Sequence, residues 1–204
     1  MHRCFDQLSG FVLAGGASQR MGRPKVELLL GGETMLGRQI RLFGSVCRSV
    51  AVVGLPENSP PGAVPFLPDD LPGCGPLGGI YTGLRHTRTE FNLFVGCDLP
   101  YVDVQFLHYL ARRALESQAD VTVPESIERR VQPLCAMYRR WTLAVIRVGL
   151  EAGKHKTSGF YHRVPWQVLP WPELARAGFP RRIFANMNTA EEYEGALQRS
   201  KCEG

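Results

Sequence analysis

Short apolar runs alternate with longer amphipathic stretches over the first 125 residues of this 204-residue chain, and this alternation most restricts its fold. The runs have the length and β-branched content of strands, whereas the stretches between them fit helices. Consecutive strands joined through a helix pair in parallel, with the helix covering one face of the sheet. The pattern therefore predicts an α/β domain with a parallel sheet and helices on both faces.

We predict strands near residues 11–13, 50–53, 64–67, 91–96, 120–124, 133–138, 165–169 and 183–186. Helices are predicted near residues 34–47, 76–87, 103–117, 141–152 and 189–200. Thr34 and Asp103 stand at helix starts as capping residues, and Thr189 forms a capping box with Glu192. In such sheets ligands bind beyond the carboxyl ends of the strands, where the polar segments described next are expected.

Chain length and cysteine use indicate an ordinary intracellular protein. No apolar run approaches the about 18 residues of a membrane span, and the N-terminus lacks the apolar core of a signal peptide. Six cysteines are present without a CxxC pair, which favours reduced thiols. We therefore expect a cytoplasmic protein that does not associate with membranes.

Positive charge is concentrated in the last third of the chain. Residues 124–182 contain eleven Lys or Arg against four Glu, although the whole chain carries only +5. Such a segment favours an anionic partner: nucleic acid, a membrane surface or a phosphorylated small molecule. A sequence pI of 9.0 is the sole support for nucleic acid, since RNA- and DNA-binding motifs are missing, so we expect no nucleic-acid partner.

The segment FVLAGGASQRMGRPK, residues 11–25, begins with the first predicted strand and continues into a stretch rich in glycine and basic residues. Gly15 and Gly16 allow a steep turn and a close approach to a ligand, because they lack a Cβ atom. The exposed N–H groups of such a turn attract anions, and Arg20 and Lys25 add full positive charges. The segment predicts a triphosphate site, although it is not a Walker A loop because GxxxxGK[ST] is absent.

Carboxylates follow two further predicted strands. Asp98 follows the run FNLFVG after a single cysteine, so it is expected beside the glycine turn, where it is a natural ligand for Mg²⁺. Asp69 and Asp70 end another strand. They either face the same cleft or serve as turn residues, and both interpretations remain open.

Four segments together resemble the molybdenum cofactor guanylyltransferases, within the wider superfamily of sugar and isoprenoid nucleotidyltransferases. They are LAGGASQRMGRPK (13–25), GPLGGI (75–80), CDLP (97–100) and NMNT (186–189). The resemblance implies a three-layer α/β/α, Rossmann-like nucleotidyltransferase fold with a mostly parallel mixed sheet. The chain length predicts a single domain over residues 1–204. With the resemblance, this domain would have a nucleotide and metal part at about 8–123 and a basic acceptor part at about 124–190.

The resemblance assigns roles residue by residue. Backbone contacts to the nucleotide would come from the turn formed by Leu13, Ala14, Gly15 and Gly16. Lys25 would bind the phosphates, Asp69 the nucleoside part, and Asp98 the Mg²⁺ ion. Arg20, Lys25 and Asp98 form the expected catalytic set, and Asn186 and Asn188 would lie beside the acceptor substrate.

The implied reaction transfers GMP from GTP to the phosphate of molybdopterin, or of its molybdenum-loaded form, with release of pyrophosphate. Transient contacts with other proteins of molybdenum cofactor biosynthesis, or with acceptor enzymes, follow from that role. Alternatives are a cytidylyltransferase, a nucleotidyltransferase for another small phosphorylated acceptor, and a nucleotide sensor without activity.

Guanine is favoured because Gly16, Gly78 and Gly79 leave room for a purine, an inference that also leans on the resemblance. Two positions depart from the family pattern. Gly54 stands near a strand end where the family often has asparagine, which puts one nucleotide contact in doubt. Ala190 replaces a proline at a helix start, where little loss is expected.

Overall fold

The computed structural model describes residues 4–15, 25–55, 63–187 and 189–202. Its strands are β1 (Phe5–Leu13), β2 (Leu29–Leu30), β3 (Glu33–Thr34), β4 (Cys47–Val53), β5 (Phe66–Leu67), β6 (Phe91–Gly96), β7 (Val121–Pro124), β8 (Cys135–Arg139) and β9 (Trp166–Leu169). Seven of them form one sheet in the order β5-β4-β1-β6-β8-β7-β9, while β2 and β3 pair as a separate small hairpin. This sheet spans both the nucleotide part and the basic part predicted from the sequence.

Strand direction confirms the predicted mixed, mostly parallel sheet. β1 is parallel to both β4 and β6, β4 is parallel to β5, and β7 is parallel to β9. Of the seven strands described, β8 alone runs in the opposite direction, antiparallel to β6 and β7. The carboxyl ends of the other six therefore share one edge, called here the carboxyl edge.

The helices are α1 (Met35–Gly44), α2 (Gly75–His86), α3 (Val104–Glu116), α4 (Thr142–Glu151), α5 (Trp171–Arg176) and α6 (Ala190–Cys202), with 3₁₀ turns at Lys25–Glu27, Tyr161–Arg163 and Arg181–Phe184. The predicted caps are confirmed. Thr34 Oγ1 accepts from the Gly37 N–H at 3.0 Å, and Asp103 accepts from the Phe106 N–H at 2.8 Å. Thr189 and Glu192 exchange two hydrogen bonds, as a capping box requires.

Alternate residues of the strands point to opposite faces of the sheet and pack into two separate hydrophobic cores. The fold is therefore a three-layer α/β/α structure, as predicted. Val12 packs with the apolar side chains of α1 and α3, whereas its neighbours Phe11 and Leu13 pack with those of α2 and α4. This division follows from the two-residue side-chain period of a strand. In the described chain, no helix combines the length and the apolar composition that crossing a bilayer requires.

Some sequence-based elements were wrong. The strand predicted at 183–186 is the 3₁₀ turn Arg181–Phe184, in which Ile183 and Phe184 are buried. Its apolar side chains pack on the α1 and α3 side, with Phe184 edge-on to Phe106, and pair with no strand. The predictions also missed α5 and the β2–β3 hairpin, which are too short for a clear periodic pattern.

Candidate functional site

A cavity of about 560 Å³ opens at the carboxyl edge. Its walls come from the ends of β1, β4, β5 and β6 and from the first turns of α2, and they include Gly15, Gly54, Asp69, Gly79 and Asp98. This volume is within the range of about 300–1,000 Å³ that is usual for small-molecule sites. The lining extends from Leu13 to Leu134, so the structure brings together segments that are up to 121 positions apart in the sequence.

Backbone hydrogen bonds extend the sheet just past the strand ends and so align the cavity walls. The Ala14 N–H donates to the Val53 carbonyl at 2.9 Å, and the Cys97 N–H donates to the Leu13 carbonyl at 3.0 Å. The Gly54 N–H likewise donates to the Leu67 carbonyl at 3.0 Å. These bonds hold the turns after β1, β4 and β6 side by side.

Gly54 explains the departure from the family pattern at the end of β4. Its φ of 86° belongs to the left-handed region that favours glycine, and it packs against the backbone of Gly15. A side chain at this position would enter the turn after β1. The position therefore contributes a close backbone contact with the turn after β1.

Asp69 presents an acceptor to the cavity. Its Oδ1 atom is buried and has no hydrogen-bond partner among the described residues. Burial raises the pKa of the Asp69 carboxyl above its ordinary value, and the charge of Asp70 raises it further. A buried acceptor without a partner is costly, so a ligand that donates hydrogen bonds to it would bind favourably.

Asp70 lies beside α2 instead. Its carboxylate is 3.2 Å from Arg85 Nη1 and 3.2 Å from His86 Nε2, and its N–H donates to Thr82 Oγ1. Asp70 therefore links the turn after β5 to α2 and does not line the cavity. Of the two alternatives left open by the sequence, Asp69 faces the cleft and Asp70 serves as a turn residue.

Asp98 lies at the cavity wall two residues after the end of β6, and its backbone carbonyl accepts from the Met187 N–H at 2.9 Å. It does not cap α3, because Asp103 does. In the described residues no three Asp, Glu, His or Cys side chains form a metal-binding group. Mg²⁺ needs only one or two protein carboxylates when substrate phosphates and water complete its shell, so Asp98 fits such an ion.

Part of the predicted site falls outside what the structure describes. Gly16, Arg20 and Asn188 lie outside the described residues, as does the side chain of Lys25, which begins the first 3₁₀ turn. Asn186 is exposed and directly precedes Met187, whose backbone contacts Asp98. Asn186 is therefore one residue away from a backbone contact with the β6 end of the cavity.

The basic segment is divided between the two ends of the sheet. Arg139 pairs with Phe91 at the amino end of β6 and bonds to Glu90 and to the carbonyls of Ser117 and Ala119. β6 spans five residue steps of about 3.3 Å, so Arg139 lies roughly 17 Å from the carboxyl edge. Arg139, and Arg140 through its N–H bond to the Glu90 carbonyl, therefore lie at the end of the sheet opposite the cavity.

Other cations of the segment do lie near the cavity. Lys154, Lys156 and Arg163 surround a shallow depression that also includes Leu77, the residue next to the cavity residue Pro76. All three cations are exposed. Within the part of the chain that the structure describes, none of them has an ion-pair partner, so their charge is available to an anion.

A family model described as the MobA-like NTP transferase domain matches residues 10–163, from β1 to the 3₁₀ turn after α4. The chain belongs to this family. The matched range contains every described cavity residue, and the MobA-like family places the chain among the nucleotidyltransferases. Such enzymes typically need a divalent metal ion, which agrees with the fit of Asp98.

Relatives of this MobA-like chain share its length. A Flavobacterium johnsoniae protein named "Probable molybdenum cofactor guanylyltransferase" is 30% identical over 187 residues, covering 92% of this chain and 95% of its own. The solved structure of the Archaeoglobus fulgidus molybdopterin-guanine dinucleotide biosynthesis protein A covers 95% of this chain and 99% of its own, with a TM-score of 0.82 at 22% identity. The Thermus thermophilus 2-C-methyl-D-erythritol 4-phosphate cytidylyltransferase, at 16% identity and a TM-score of 0.68, covers 95% and 98%.

Proposed function

We propose that this MobA-like enzyme transfers GMP from GTP to the phosphate of molybdopterin, or of its molybdenum-loaded form. The Flavobacterium relative, named a probable molybdenum cofactor guanylyltransferase, supports this activity. The structural observation that carries the proposal is the buried, unpartnered Oδ1 of Asp69 on a cavity at the carboxyl edge. That oxygen needs a donor, and the base of GTP has donors to offer.

Guanine suits the Asp69 carboxylate better than cytosine does. An ionised carboxylate only accepts hydrogen bonds, and its two oxygens suit two parallel N–H donors. Guanine presents an N1–H and an exocyclic amine side by side, whereas the amine of cytosine stands next to an acceptor nitrogen. The carboxylate therefore favours the purine on chemical grounds.

The glycines of GPLGGI support this proposal unequally. Gly79 lines the cavity, and a Cβ atom there would be 3.8 Å from Asp69 Oδ1, within the space beside the carboxylate. Gly78 instead packs against the turn before α2, where a Cβ atom would be 3.1 Å from the Leu71 carbonyl oxygen. Of the described glycines in this pair, Gly79 is the one that leaves room for a base.

In the proposed reaction, an oxygen of the acceptor phosphate attacks the α-phosphorus of GTP in line. The bond from the α-phosphorus to the bridging oxygen breaks, and that oxygen leaves on pyrophosphate with the electron pair. Arg20 and Lys25 would neutralise the triphosphate, and Asp98 would hold Mg²⁺, which supplies charge neutralisation when bound. Positioning and electrostatic stabilisation account for most catalysis of this kind.

The acceptor would approach from the side of Asn186, with Asn188 as the second contact of the NMNT segment. Lys154 and Lys156 would attract its phosphate from the rim beside α2. This part of the proposal includes transient contacts with proteins that deliver the pterin or receive the finished dinucleotide. Its physical basis is the unpaired positive charge near the cavity.

Cytidylyl transfer is the second candidate, because the Thermus cytidylyltransferase shares this fold and the fold alone does not select a base. A steady-state comparison of GTP and CTP, with molybdopterin as acceptor, separates the two. We expect GTP to be preferred by about a hundredfold or more in kcat/KM, which corresponds to about 2.7 kcal/mol. A preference for CTP would reassign the base, and no turnover with either nucleotide would reject molybdopterin as the acceptor.

A further inference from the structure

Gln39 is a buried polar residue on the otherwise apolar inner face of α1. Its side chain is 0% exposed, and its Nε2 donates to the backbone carbonyl of Leu99 at 2.9 Å. Its Oε1 atom is buried without a hydrogen-bond partner among the described residues. Burying an amide with one end unpaired is costly, so an apolar residue of similar size would serve stability at least as well.

Leu99 directly follows Asp98, so the bond from Gln39 acts on the turn that carries this carboxylate. The adjacent peptide is also fixed, because the Asp98 carbonyl accepts from the Met187 N–H at 2.9 Å. On the other side, the Cys97 N–H is bound to the Leu13 carbonyl. Contacts from three different segments therefore set the backbone direction of Asp98.

Arg38 extends this support along the same turn. Its Nε donates to the Pro100 carbonyl at 3.1 Å, and its Nη2 donates to the Val102 carbonyl at 3.4 Å. Neighbouring residues of α1 thus bind three carbonyls of the segment between β6 and α3. The segment is held by side chains from a helix that the sequence places about 60 positions earlier.

We propose that Gln39 is a positioning residue for the Asp98 carboxylate, and that it thereby sets the affinity of the site for a divalent cation. The proposal rests on the metal role given to Asp98 under the proposed function. Residues that orient a metal ligand typically change metal affinity by about 10- to 100-fold when they are replaced. Gln39 touches neither the nucleotide cavity nor the reacting atoms, so its effect passes through the turn.

The test measures Mn²⁺ binding by electron paramagnetic resonance in the full chain, with GTP present and no acceptor. Gln39→Leu should raise the Kd for Mn²⁺ about tenfold, while GTP binding without metal changes less than about twofold. Gln39→Met, which better preserves shape, should give the same result should the leucine variant fail to fold. Unchanged Mn²⁺ affinity in a folded variant would overturn the proposal.

Asn92 offers a matched control on β6, the strand that precedes Asp98. It is 0% exposed, and its Nδ2 donates to the carbonyls of Glu90 at 3.2 Å and Tyr138 at 3.3 Å, at the amino end of β6. Asn92→Leu should lower Tm without changing the Kd for Mn²⁺. An equal loss of metal affinity in this control would make the effect of Gln39 one of general stability and would also reject the positioning role.

Asp98→Asn separates failure of this proposal from failure of the proposed function. If Asp98→Asn binds Mn²⁺ as the wild type does, the metal role of Asp98 is wrong and the role of Gln39 falls with it. If Asp98→Asn loses Mn²⁺ while folded Gln39→Leu and Gln39→Met retain it, only the positioning role is rejected. Loss in both the Asp98 and the Gln39 variants, with Asn92→Leu unaffected, supports the proposal.

Discussion

A Cβ atom built on Gly54 would lie 2.9 Å from both the Cα and the N atoms of Gly15. The turns after β1 and β4 are therefore in direct backbone contact at the wall of the cavity. Because these atoms belong to the backbone, a small rotation of a side chain cannot relieve the clash.

We predict that Gly54→Ala lowers the free energy of unfolding by about 1–3 kcal/mol from backbone strain alone, with the clash adding to it. It should also lower kcat/KM for GTP, because the cavity wall is displaced. The control is Gly178→Ala, where φ is 90° but nothing lies within 4 Å of the added atom. Equal denaturation curves for the two variants would show that the contact with Gly15 is unimportant.

The pKa of Asp69 predicts a stabilising substitution. A carboxyl whose folded-state pKa is raised above its unfolded value penalises the folded state once it ionises. The penalty is absent below the ordinary pKa of 3.8 and grows as pH rises through the raised pKa. Asp69→Asn should therefore have a higher Tm than the wild type at pH 7, and thermal melts should show the gain vanishing towards pH 3.

Asp70→Asn is the control for that series. Asp70 pairs with Arg85 and His86, so its replacement removes favourable contacts and should not raise Tm at neutral pH. A gain of the same size in both variants would indicate a general effect of negative charge at this turn. The cause would then be repulsion between the neighbours, and not burial of Asp69.

Asp69→Asn should also impair recognition of guanine. Losing a hydrogen bond to a charged acceptor costs about 1.5–3 kcal/mol, which lowers kcat/KM for GTP by roughly 10- to 150-fold. Inosine triphosphate lacks the exocyclic amine, so the wild type should prefer GTP over it, and the variant should lose most of that preference. If Asp69→Asn still prefers GTP over inosine triphosphate as the wild type does, Asp69 does not contact the edge of the base.

Asp98→Asn should reduce turnover by about a hundredfold or more, because the amide lacks the charge that pairs with the cation. Asp103→Asn is its control, since asparagine also caps helices well and Asp103 serves α3. Steady-state rates across a range of Mg²⁺ concentrations compare the two. Near-native activity of Asp98→Asn at ordinary Mg²⁺ would contradict the metal assignment.

Charge reversal at Lys154 and Lys156 should raise the KM for molybdopterin about tenfold while leaving the KM for GTP within about twofold. The effect should weaken as ionic strength rises, because exposed charges are screened. Arg140→Glu reverses an exposed charge at the opposite end of the sheet and should change neither value. Equal effects at both ends would mean that overall charge matters more than position.

The local sequence was a good guide wherever an element could be predicted from its own residues. The strand predicted at 91–96 is confirmed as β6, and each proposed cap is confirmed, because burial pattern and capping chemistry operate within a few residues. The strand predicted at 183–186 was wrong because strand formation depends on pairing with distant residues. An apolar run says that Ile183 and Phe184 are buried, but not whether a strand edge is available to pair with them.

Asp69, Asp70 and Asp98 show the same limit of local sequence at the candidate site. From the sequence alone, Asp98 was predicted at a strand end, and β6 does end beside it. The sequence could not separate Asp69 from Asp70, because neighbours in a turn differ only in which way the backbone directs them. The packing of α2 decided it by pairing Asp70 with Arg85 and His86.

The amino-acid sequence by itself determined the alternating elements, the polar segments at strand ends and the family resemblance, since these depend on residue type and short spacing. Only the tertiary structure decided the place of Gln39 beneath Asp98 and the separation of Lys154 from Arg139. Both depend on strand order, direction and register, which join segments far apart in the chain. The distances between functional groups are therefore set by the assembled sheet.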